Sequence, residues 1–356
     1  MIPPDVVGVG EAMVLLQPAQ GEDLATAERM DVHVGGAELN VCAAVARLGG
    51  TAWFASRVGA DPFGERVLNA ARALGVGTSL VGRDAGRPTG VFFKEVRPDG
   101  ARRVHYYRSG SAAAGMDEGD AAAILATRPR AIVVSGITIA LGEGPERLVR
   151  ALAEGAREAG AMLVVDPNLR PALGRQDRVL ETVRELLPLT DLLVLGQDEA
   201  EPLFGTTDPA AVFAAASAAS AAWAGERLSG STASTAFGGE RAGGTGGEAA
   251  GAAGRDGARA GAGREIEVVV KAGADGVYCR GADGAPVHLP SAARVVRDPV
   301  GAGDALLGGY LAARLAGAGP EHAAWVGSEL AGRIVEVYGD VEGLPSPADA
   351  AALLHR

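Results

Sequence analysis

Short apolar runs alternate with longer amphipathic segments along most of the chain. The apolar runs are rich in Val, Ile and Leu, which favours strands that are buried on both faces of a sheet. They lie at residues 6–10, 52–58, 131–135, 162–166, 192–195 and 266–271. The segments between them repeat their apolar residues with the helical period, for example at 38–48, 63–74 and 145–159. This alternation predicts an α/β fold with a mostly parallel central sheet flanked by helices, in which ligands bind at the carboxyl ends of the strands.

A different pattern occupies residues 91–108. Two runs of alternating character, 91–96 and 102–108, flank the turn sequence Pro98-Asp99-Gly100, and this arrangement predicts a β-hairpin. Together with short runs at 14–16 and 32–34, the hairpin predicts a small separate sheet that acts as a lid, built from segments about 12–35 and 88–110. The unpaired edges of such a sheet favour a homodimer through two lids, although the oligomeric state stays open.

Residues 218–264 break both patterns, because Ala, Gly, Ser and Thr dominate there and large apolar residues are scarce. Such a segment buries too little surface to offset the entropy of ordering, so we expect a flexible insertion within a single domain of residues 1–356. Its glycines at 243–247 do not form a phosphate loop, since no strand precedes them and no GK[ST] helix follows.

Charge and composition exclude several classes of protein. A formal net charge of −11 over 356 residues, without a basic stripe, argues against a nucleic-acid partner. No apolar run is long enough to cross a membrane and residues 1–5 do not begin a secretory signal, so we expect a cytoplasmic protein with no membrane partner. The two cysteines are far apart and the five histidines lack metal-ligand spacing, which makes a protein-held transition metal improbable.

The segment DPVGAGD at residues 298–304 precedes a helical pattern and carries the most specific chemistry. Gly301, Ala302 and Gly303 allow a tight turn whose N–H groups, with the helix N-terminus, face a phosphate or a developing oxyanion. Asp304 falls in the first helical turn, where the helix dipole favours an ionised carboxylate that can accept a proton from a hydroxyl. An ordinary helix cap uses the same residue types, so the segment alone leaves both interpretations open.

A second group of residues has the chemistry to bind a polyol. Gly35 and Gly36 permit close backbone approach, while Glu38 and Asn40 offer hydrogen-bonding groups for hydroxyls. The alternative is a turn that enters a capped helix, with Asn40 facing solvent.

Arginines at two places suggest recognition of an acid group. Tyr106 and Arg108 share one side of their strand, and a guanidinium pairs with a carboxylate in fork geometry. Arg170 follows the strand end at Asp166 and faces the ligand side, where it can hold a sugar carboxylate or nucleotide phosphates. The alternative for the Tyr106 strand is an edge strand whose arginine is solvated.

Several of these motifs occur in the order found in one enzyme family. The segments GGAELN at 35–40, AAVARLG at 43–49, VGADPFG at 58–64 and GAGD at 301–304 resemble those of the ribokinase-type (PfkB) carbohydrate kinases. The resemblance covers nearly the whole chain outside the insertion. Within the family, YYR at 106–108, SAA at 111–113 and DPNLR at 166–170 resemble the 2-keto-3-deoxygluconate kinases in particular.

The resemblance implies a ribokinase-like fold and ATP-dependent phosphorylation of a sugar hydroxyl, with Mg²⁺ bridging the phosphates. Asp304 would be the base, and the N–H groups of Gly301, Ala302 and Gly303 would stabilise the transferring group. The implied substrate-binding residues are Gly35, Gly36, Glu38, Asn40, Phe92, Tyr106, Arg108, Arg170 and Asp304. The implied nucleotide-binding residues are Asn168, Arg170, Lys271, Gly273, Gly276, Gly301 and Gly303. Glu199 would organise Mg²⁺ indirectly, through water.

The chain departs from the family pattern at two positions. Gly196 stands where the family's Asn-x-x-Glu motif has asparagine, which weakens the case for Glu199 at the metal. Phe92 stands where the 2-keto-3-deoxygluconate kinases tend to have tyrosine, which puts one substrate hydrogen bond in doubt.

Three alternatives remain beside a sugar-acid kinase. One is a kinase of fructose, ribose or another neutral sugar, and a second is a non-catalytic, sugar-binding regulatory homologue. The third, a dinucleotide-dependent oxidoreductase, is disfavoured because Gly8 and Gly10 are followed by Met13 where a third glycine belongs.

Overall fold

The structure is a computed structural model that describes residues 3–19, 22–96, 102–230 and 265–354. Its strands are β1 (Val6–Val9), β2 (Met13–Pro18), β3 (Met30–Gly35), β4 (Ala52–Gly59), β5 (Gly77–Asp84), β6 (Val91–Val96), β7 (Arg102–Tyr107), β8 (Ala131–Ser135), β9 (Met162–Asp166), β10 (Leu192–Gly196), β11 (Glu267–Lys271), β12 (Val277–Arg280) and β13 (Pro286–Leu289). Its α-helices are α1 (Ala37–Arg47), α2 (Pro62–Ala73), α3 (Ala121–Ala126), α4 (Gly136–Ala140), α5 (Glu143–Ala159), α6 (Gln176–Leu186), α7 (Gln197–Phe204), α8 (Pro209–Gly230), α9 (Ala302–Leu315), α10 (Pro320–Val335) and α11 (Pro347–Leu354).

The large sheet has nine strands in the order β13-β12-β11-β10-β9-β8-β1-β4-β5. Neighbours from β11 to β5 pair in parallel, whereas β12 and β13 add an antiparallel edge. The predicted α/β fold with a mostly parallel sheet is confirmed. Because the strands are parallel, Ser135, Asp166, Gly196 and Lys271 all lie at one edge of the sheet, where ligands of such folds bind.

The small sheet has four strands in the order β3-β2-β6-β7 and is separate from the large one, as predicted. We call it the lid sheet. Strands β6 and β7 form the expected antiparallel hairpin, whose Pro98-Asp99-Gly100 turn lies outside the described residues. Val32 and Tyr107 on its two edge strands are 38% and 67% exposed. Dimerisation through these edges stays a prediction.

Helices cover both faces of the large sheet. One buried apolar cluster packs α1, α2, α9 and α10 against one face, and a second packs α5, α6, α7 and α8 against the other. Since side chains alternate along each strand, Val6 belongs to the first cluster and Val7 to the second. This is why the strands read as continuous apolar runs in the sequence.

Helices α1 and α9 approach each other more closely than side chains normally allow. A Cβ added to Gly308 of α9 would lie 2.5 Å from the Ala44 Cβ and 2.8 Å from the Val41 carbonyl oxygen, both on α1. Gly308 therefore sets the distance between the two helices that carry Asn40 and Asp304.

The first part of the predicted insertion is helical in the structure. Helix α8 continues to Gly230, so residues 218–230 are helical, since alanine has the highest helix propensity of any residue. The remainder of the predicted insertion, residues 231–264, lies outside the described residues. Among the helices of the described ranges, none combines the length and the apolar character needed to cross a membrane.

We predict that Gly308→Ala destabilises the protein by about 1–3 kcal/mol, because the added methyl group overpacks the α1–α9 contact. Urea unfolding measures the change. Gly319→Ala is the matched control, because a Cβ at Gly319 meets no described atom within 4 Å and the backbone φ there is −69°. Equal stabilities of the two variants would contradict this account of the helix contact.

Candidate active site

Asp304 lies where α1, α9 and the carboxyl edge of the large sheet meet. It is in the first turn of α9, as predicted, and part of its surface faces the cleft. The Asn40 amide Nδ2 donates a 2.9 Å hydrogen bond to Asp304 Oδ2. Asn40 is only 4% exposed, so it faces this carboxylate and not solvent. The bond connects the GGAELN segment at 35–40 to the GAGD segment at 301–304.

The surroundings of Asp304 raise the pKa of its carboxyl group to about 7. Removal of the carboxylate from water is the main cause, and the negative charges of Asp166 and Asp340 add to it. The Asn40 hydrogen bond and the Arg170 guanidinium act in the opposite direction. The expectation that the helix dipole keeps this group fully ionised is therefore wrong for the free protein, because desolvation outweighs the dipole. A carboxylate with a pKa near 7 is well suited to general-base chemistry.

Residues 298–303, which we call the anion turn, are held by short-range contacts. Gly301 has the left-handed φ of 80°, and a Cβ there would lie 2.5 Å from the Asp340 carbonyl oxygen, so no other residue fits. Asp298 Oδ1 accepts the Val300 N–H at 3.2 Å. Asp298 also forms an ion pair with Lys94 of the lid sheet, and both side chains are buried.

Asp340 lies beside Gly35 and Gly301, although no motif in the sequence marks it. Its side chain is 7% exposed, and Oδ1 has no hydrogen-bond partner within the part of the chain that the structure describes. A Cβ on Gly35 would lie 2.6 Å from Asp340 Oδ2 and 3.3 Å from the Phe92 ring. Burial raises the pKa of Asp340, and the Lys94 charge lowers it. Asp340 lies in a loop with no recognisable motif, so only the fold brings it here.

The inner side of the lid sheet presents a small aromatic cluster. The Phe92 and Tyr106 rings are stacked with centroids 5.9 Å apart, and the Arg108 guanidinium lies 5.7 Å from the Tyr106 centroid. Arg108 Nε is 2.5 Å from Glu11 Oε2, so this arginine already has a carboxylate partner inside the protein. Its Nη2 atom is buried and finds no hydrogen-bond partner among the described residues. The structure thus leaves only part of the Arg108 fork open for a substrate.

Glu38 and Gly36 serve packing more than the cleft. Glu38 is 1% exposed, and its Oε1 accepts hydrogen bonds from the hydroxyls of Ser135 at 2.5 Å and Thr138 at 2.6 Å. Burial raises the pKa of Glu38. A Cβ on Gly36 would lie 2.5 Å from the Glu11 carbonyl oxygen. Direct contact of Glu38 with a sugar stays a prediction, which now rests on its other oxygen alone.

A charged cluster follows the ends of β9 and β11. Lys271 Nζ donates to Asp166 Oδ2 at 2.8 Å, and Asp166 Oδ1 accepts the N–H of Asn168 at 3.0 Å. Asn168 has a left-handed φ of 40°, which few residue types tolerate. A Cβ on Gly303 would lie 3.6 Å from Lys271 Nζ, so this ammonium is beside the anion turn. The charges of Asp166 and Glu199 raise the pKa of Lys271 despite its burial.

The Glu199 carboxylate accepts hydrogen bonds from two separate parts of the backbone. Its two oxygens accept the N–H groups of Gly196 at 2.5 Å and Leu169 at 2.7 Å. Burial raises the pKa of Glu199, while Lys271 lowers it. Glu199 therefore fixes the turn that carries Arg170. The predicted contact of Glu199 with Mg²⁺ through an intervening water stays a prediction.

The remaining predicted residues differ in exposure. Arg170 is exposed, with Nη1 donating to the Leu169 carbonyl at 3.1 Å, and its charge acts on Asp304. Gly273 has a left-handed φ of 58° and open space around it among the described residues. A Cβ on Gly276 would lie 2.1 Å from the Leu289 carbonyl oxygen, so packing against β13 requires this glycine.

These groups, whose surroundings we call the cleft, are linked around Asp304 and the anion turn. Asn40 donates to Asp304, Asp340 packs against Gly301 and Gly35, and Lys271 lies beside Gly303. The charges of Asp166, Arg170 and Asp340 act on Asp304. The arrangement offers a base with a pKa near 7, N–H groups for an anion and cations that can neutralise phosphate charge.

Comparison with known proteins shows the same family across the chain. The model of the family described as pfkB family carbohydrate kinase matches residues 3–227 and 250–347, and leaves unmatched a stretch that overlaps the predicted insertion. The chain is 29% identical to a 2-dehydro-3-deoxygluconokinase of Thermoproteus tenax over 98% of its own length and 94% of that protein.

Two further matches extend the comparison. The chain is 34% identical to fructokinase-1 of Oryza sativa subsp. japonica, over 56% of this chain and 62% of that one. The crystal structure of a PfkB protein from Polaromonas sp. JS666 superposes with a TM-score of 0.73 at 30% identity, covering 98% of this chain and 99% of that one. The family match spans most of the chain, including the segments at 35–40 and 301–304, so this protein is an ATP-dependent carbohydrate kinase of the PfkB family.

Proposed function

We propose that the protein transfers the γ-phosphoryl group of ATP to a hydroxyl of a sugar acid, with 2-keto-3-deoxygluconate (the 2-dehydro-3-deoxygluconate of the relatives' names) as the best candidate. The observation that carries this proposal is the exposed guanidinium of Arg170, whose charge acts on Asp304. On the lid sheet, Arg108 Nη2 has no hydrogen-bond partner among the described residues. A carboxylate on the sugar is the group that such guanidiniums recognise.

Asp304 acts as the general base in this proposal. Its free oxygen takes the proton from the attacking hydroxyl, and the hydroxyl oxygen then forms a bond to the γ-phosphorus as the bond to the ADP oxygen breaks. The Asn40 hydrogen bond fixes the other carboxylate oxygen, Oδ2, and so orients the base. Asp340 Oδ1 is a second acceptor that can hold a hydroxyl of the sugar.

The anion turn and Lys271 stabilise the transferring group. The N–H groups of residues 301–303 lie at the N-terminus of α9, where the helix dipole favours negative charge. The Lys271 ammonium lies beside Gly303 and is kept protonated by Asp166, so it can neutralise phosphate charge. Asp166 and Glu199 are the carboxylates that would hold the waters of a bound Mg²⁺, and that ion would supply positive charge against the phosphates.

Phosphorylation of a neutral sugar is the second candidate, and the fructokinase similarity favours it. Phe92 also points in this direction, since it stacks on Tyr106 and offers no hydroxyl to a substrate. Against it stand the exposed Arg170 and the full-length similarity to a sugar-acid kinase.

A substrate panel distinguishes the two candidates. We expect ATP consumption to be fastest with 2-keto-3-deoxygluconate, slower with other aldonic acids, and slowest with fructose and ribose, and NMR of the product locates the phosphate. Arg170→Met should raise KM for the acid more than KM for fructose, because only the acid loses an ion pair. Equal kcat/KM for acids and their neutral counterparts would contradict the sugar-acid proposal.

We predict that Asp304→Asn reduces kcat by about 10²- to 10⁴-fold, the usual contribution of a positioned base. ATP affinity and the unfolding midpoint should change little, since an amide still accepts the Asn40 hydrogen bond. Glu321→Gln is the control, because it removes an exposed carboxylate from the first turn of α10. Turnover of the Asp304 variant close to that of the wild type would remove this residue from the role of base.

The pH dependence follows from the same carboxylate. The base acts in its deprotonated form and its pKa is raised to about 7, so kcat/KM should reach a plateau above pH 7. Below that pH it should fall about tenfold for each pH unit. Steady-state rates measured from about pH 5 to about pH 9 give this profile on both sides of the pKa. A rate that stays constant down to pH 5 would show that Asp304 is ionised throughout or is not the base.

A further inference from the structure

Lys94 is an unusual residue for a lid, because its side chain is fully buried. It lies on β6, two residues after Phe92, and therefore on the same face of the lid sheet. Its relative exposure is 0%, and its ammonium forms an ion pair with Asp298, whose exposure is 1%. Lysine is almost never buried without a specific charged partner.

The partner of Lys94 belongs to the anion turn. Asp298 uses Oδ2 for the lysine and Oδ1 for the Val300 N–H, so one carboxylate links the lid sheet to the turn that faces the phosphoryl group. The Asp298 N–H in turn donates to the Val335 carbonyl at 3.2 Å, at the end of α10. The turn is thus anchored to the large domain on one side and to the lid sheet on the other.

Lys94 also compensates a second buried carboxylate. Among the charges that act on Asp340, Lys94 is the one that lowers its pKa, whereas Asp298 and Glu342 raise it. Withdrawal of Lys94 would leave Asp298 and Asp340 repelling each other in a poorly solvated space, which is costly. The position of the lid sheet and the electrostatics of the anion turn are therefore coupled.

We propose that Lys94 is a positioning residue that links the lid sheet to the anion turn. Its ammonium holds Asp298, and Asp298 holds the Val300 N–H and so keeps the turn in the geometry that receives the phosphoryl group. A sugar bound against the lid sheet therefore orders the anion turn through Lys94. This inference rests on the proposed sugar phosphorylation.

Lys94→Met tests the proposal, because methionine preserves most of the side-chain length and removes the charge. With the best substrate of the panel, we expect kcat to fall about 10- to 100-fold, as is typical when a site is misplaced by a remote change. KM for ATP should stay within about twofold, since the variant does not touch the nucleotide side. Arg103→Met is the matched control, because it removes an exposed cation from the neighbouring strand β7 and should leave kcat unchanged.

Hydrogen exchange supplies a readout that a purely structural role would not change. In the wild type, the sugar should slow exchange of the amides of residues 300–303, and this protection should be absent in Lys94→Met. The double variant Lys94→Met/Asp298→Asn should recover at least about a tenth of wild-type kcat, because no orphan carboxylate remains and asparagine still accepts the Val300 N–H.

Several outcomes would overturn the inference. One is a folded Lys94→Met protein with wild-type kcat, even if its melting temperature is lower. Another is a double variant as slow as the single one. If Lys94→Met does not fold, the double variant decides, and an exchange response to the sugar that equals that of the wild type would refute the coupling. A wild type that phosphorylates no sugar of the panel would refute the proposed function instead.

Discussion

The site depends on the close contact between α1 and α9. Gly308 removes the side chain that would keep these helices apart, and one turn before it, Asp304 comes within 2.9 Å of Asn40. A wider helix contact would break this bond and free the carboxylate to rotate. The two helices belong to opposite halves of the chain, so Asp304 is positioned by packing around the large sheet and not by local sequence. The apolar cluster behind the helices keeps that distance fixed.

Buried charge is the second constraint on the cleft. Asp304, Asp340 and Asp298 lie near one another. Asn40 donates to Asp304, while Lys94 pairs with Asp298 and offsets the charge of Asp340. Low solvation makes every unpaired charge costly, and the same condition raises the pKa of Asp304 into the range useful for a base. The buried carboxylates therefore lower the stability of the folded protein around this site, as is usual for active sites.

Glycines illustrate how packing and function share one residue type. From residue type alone, we expect the glycines of the motifs where a ligand approaches the backbone closely. In the structure, a Cβ at Gly10 would clash with the Glu38 carboxyl group. A Cβ at Gly36 would clash with the backbone at Glu11, and one at Gly276 with the backbone at Leu289. At Gly301 and Gly273, with φ of 80° and 58°, a left-handed backbone favours glycine. Residue type therefore identified the right segments but not the reason for each glycine.

The sequence by itself determined the fold class, six of the nine strands of the large sheet, the hairpin of the lid sheet and the position of Asp304 at the start of a helix. These features follow from local periodicity and turn chemistry, which neighbouring residues specify. Tertiary structure alone decided that Asp340 joins the site, that Arg108 pairs with Glu11, that Glu38 is internal and that Lys94 reaches Asp298. Each of these involves residues far apart in the chain or a change in solvation, and neither a pattern of neighbours nor a motif encodes distance or burial. For the same reason the pKa of Asp304 could be obtained only once the chain had brought its neighbours together.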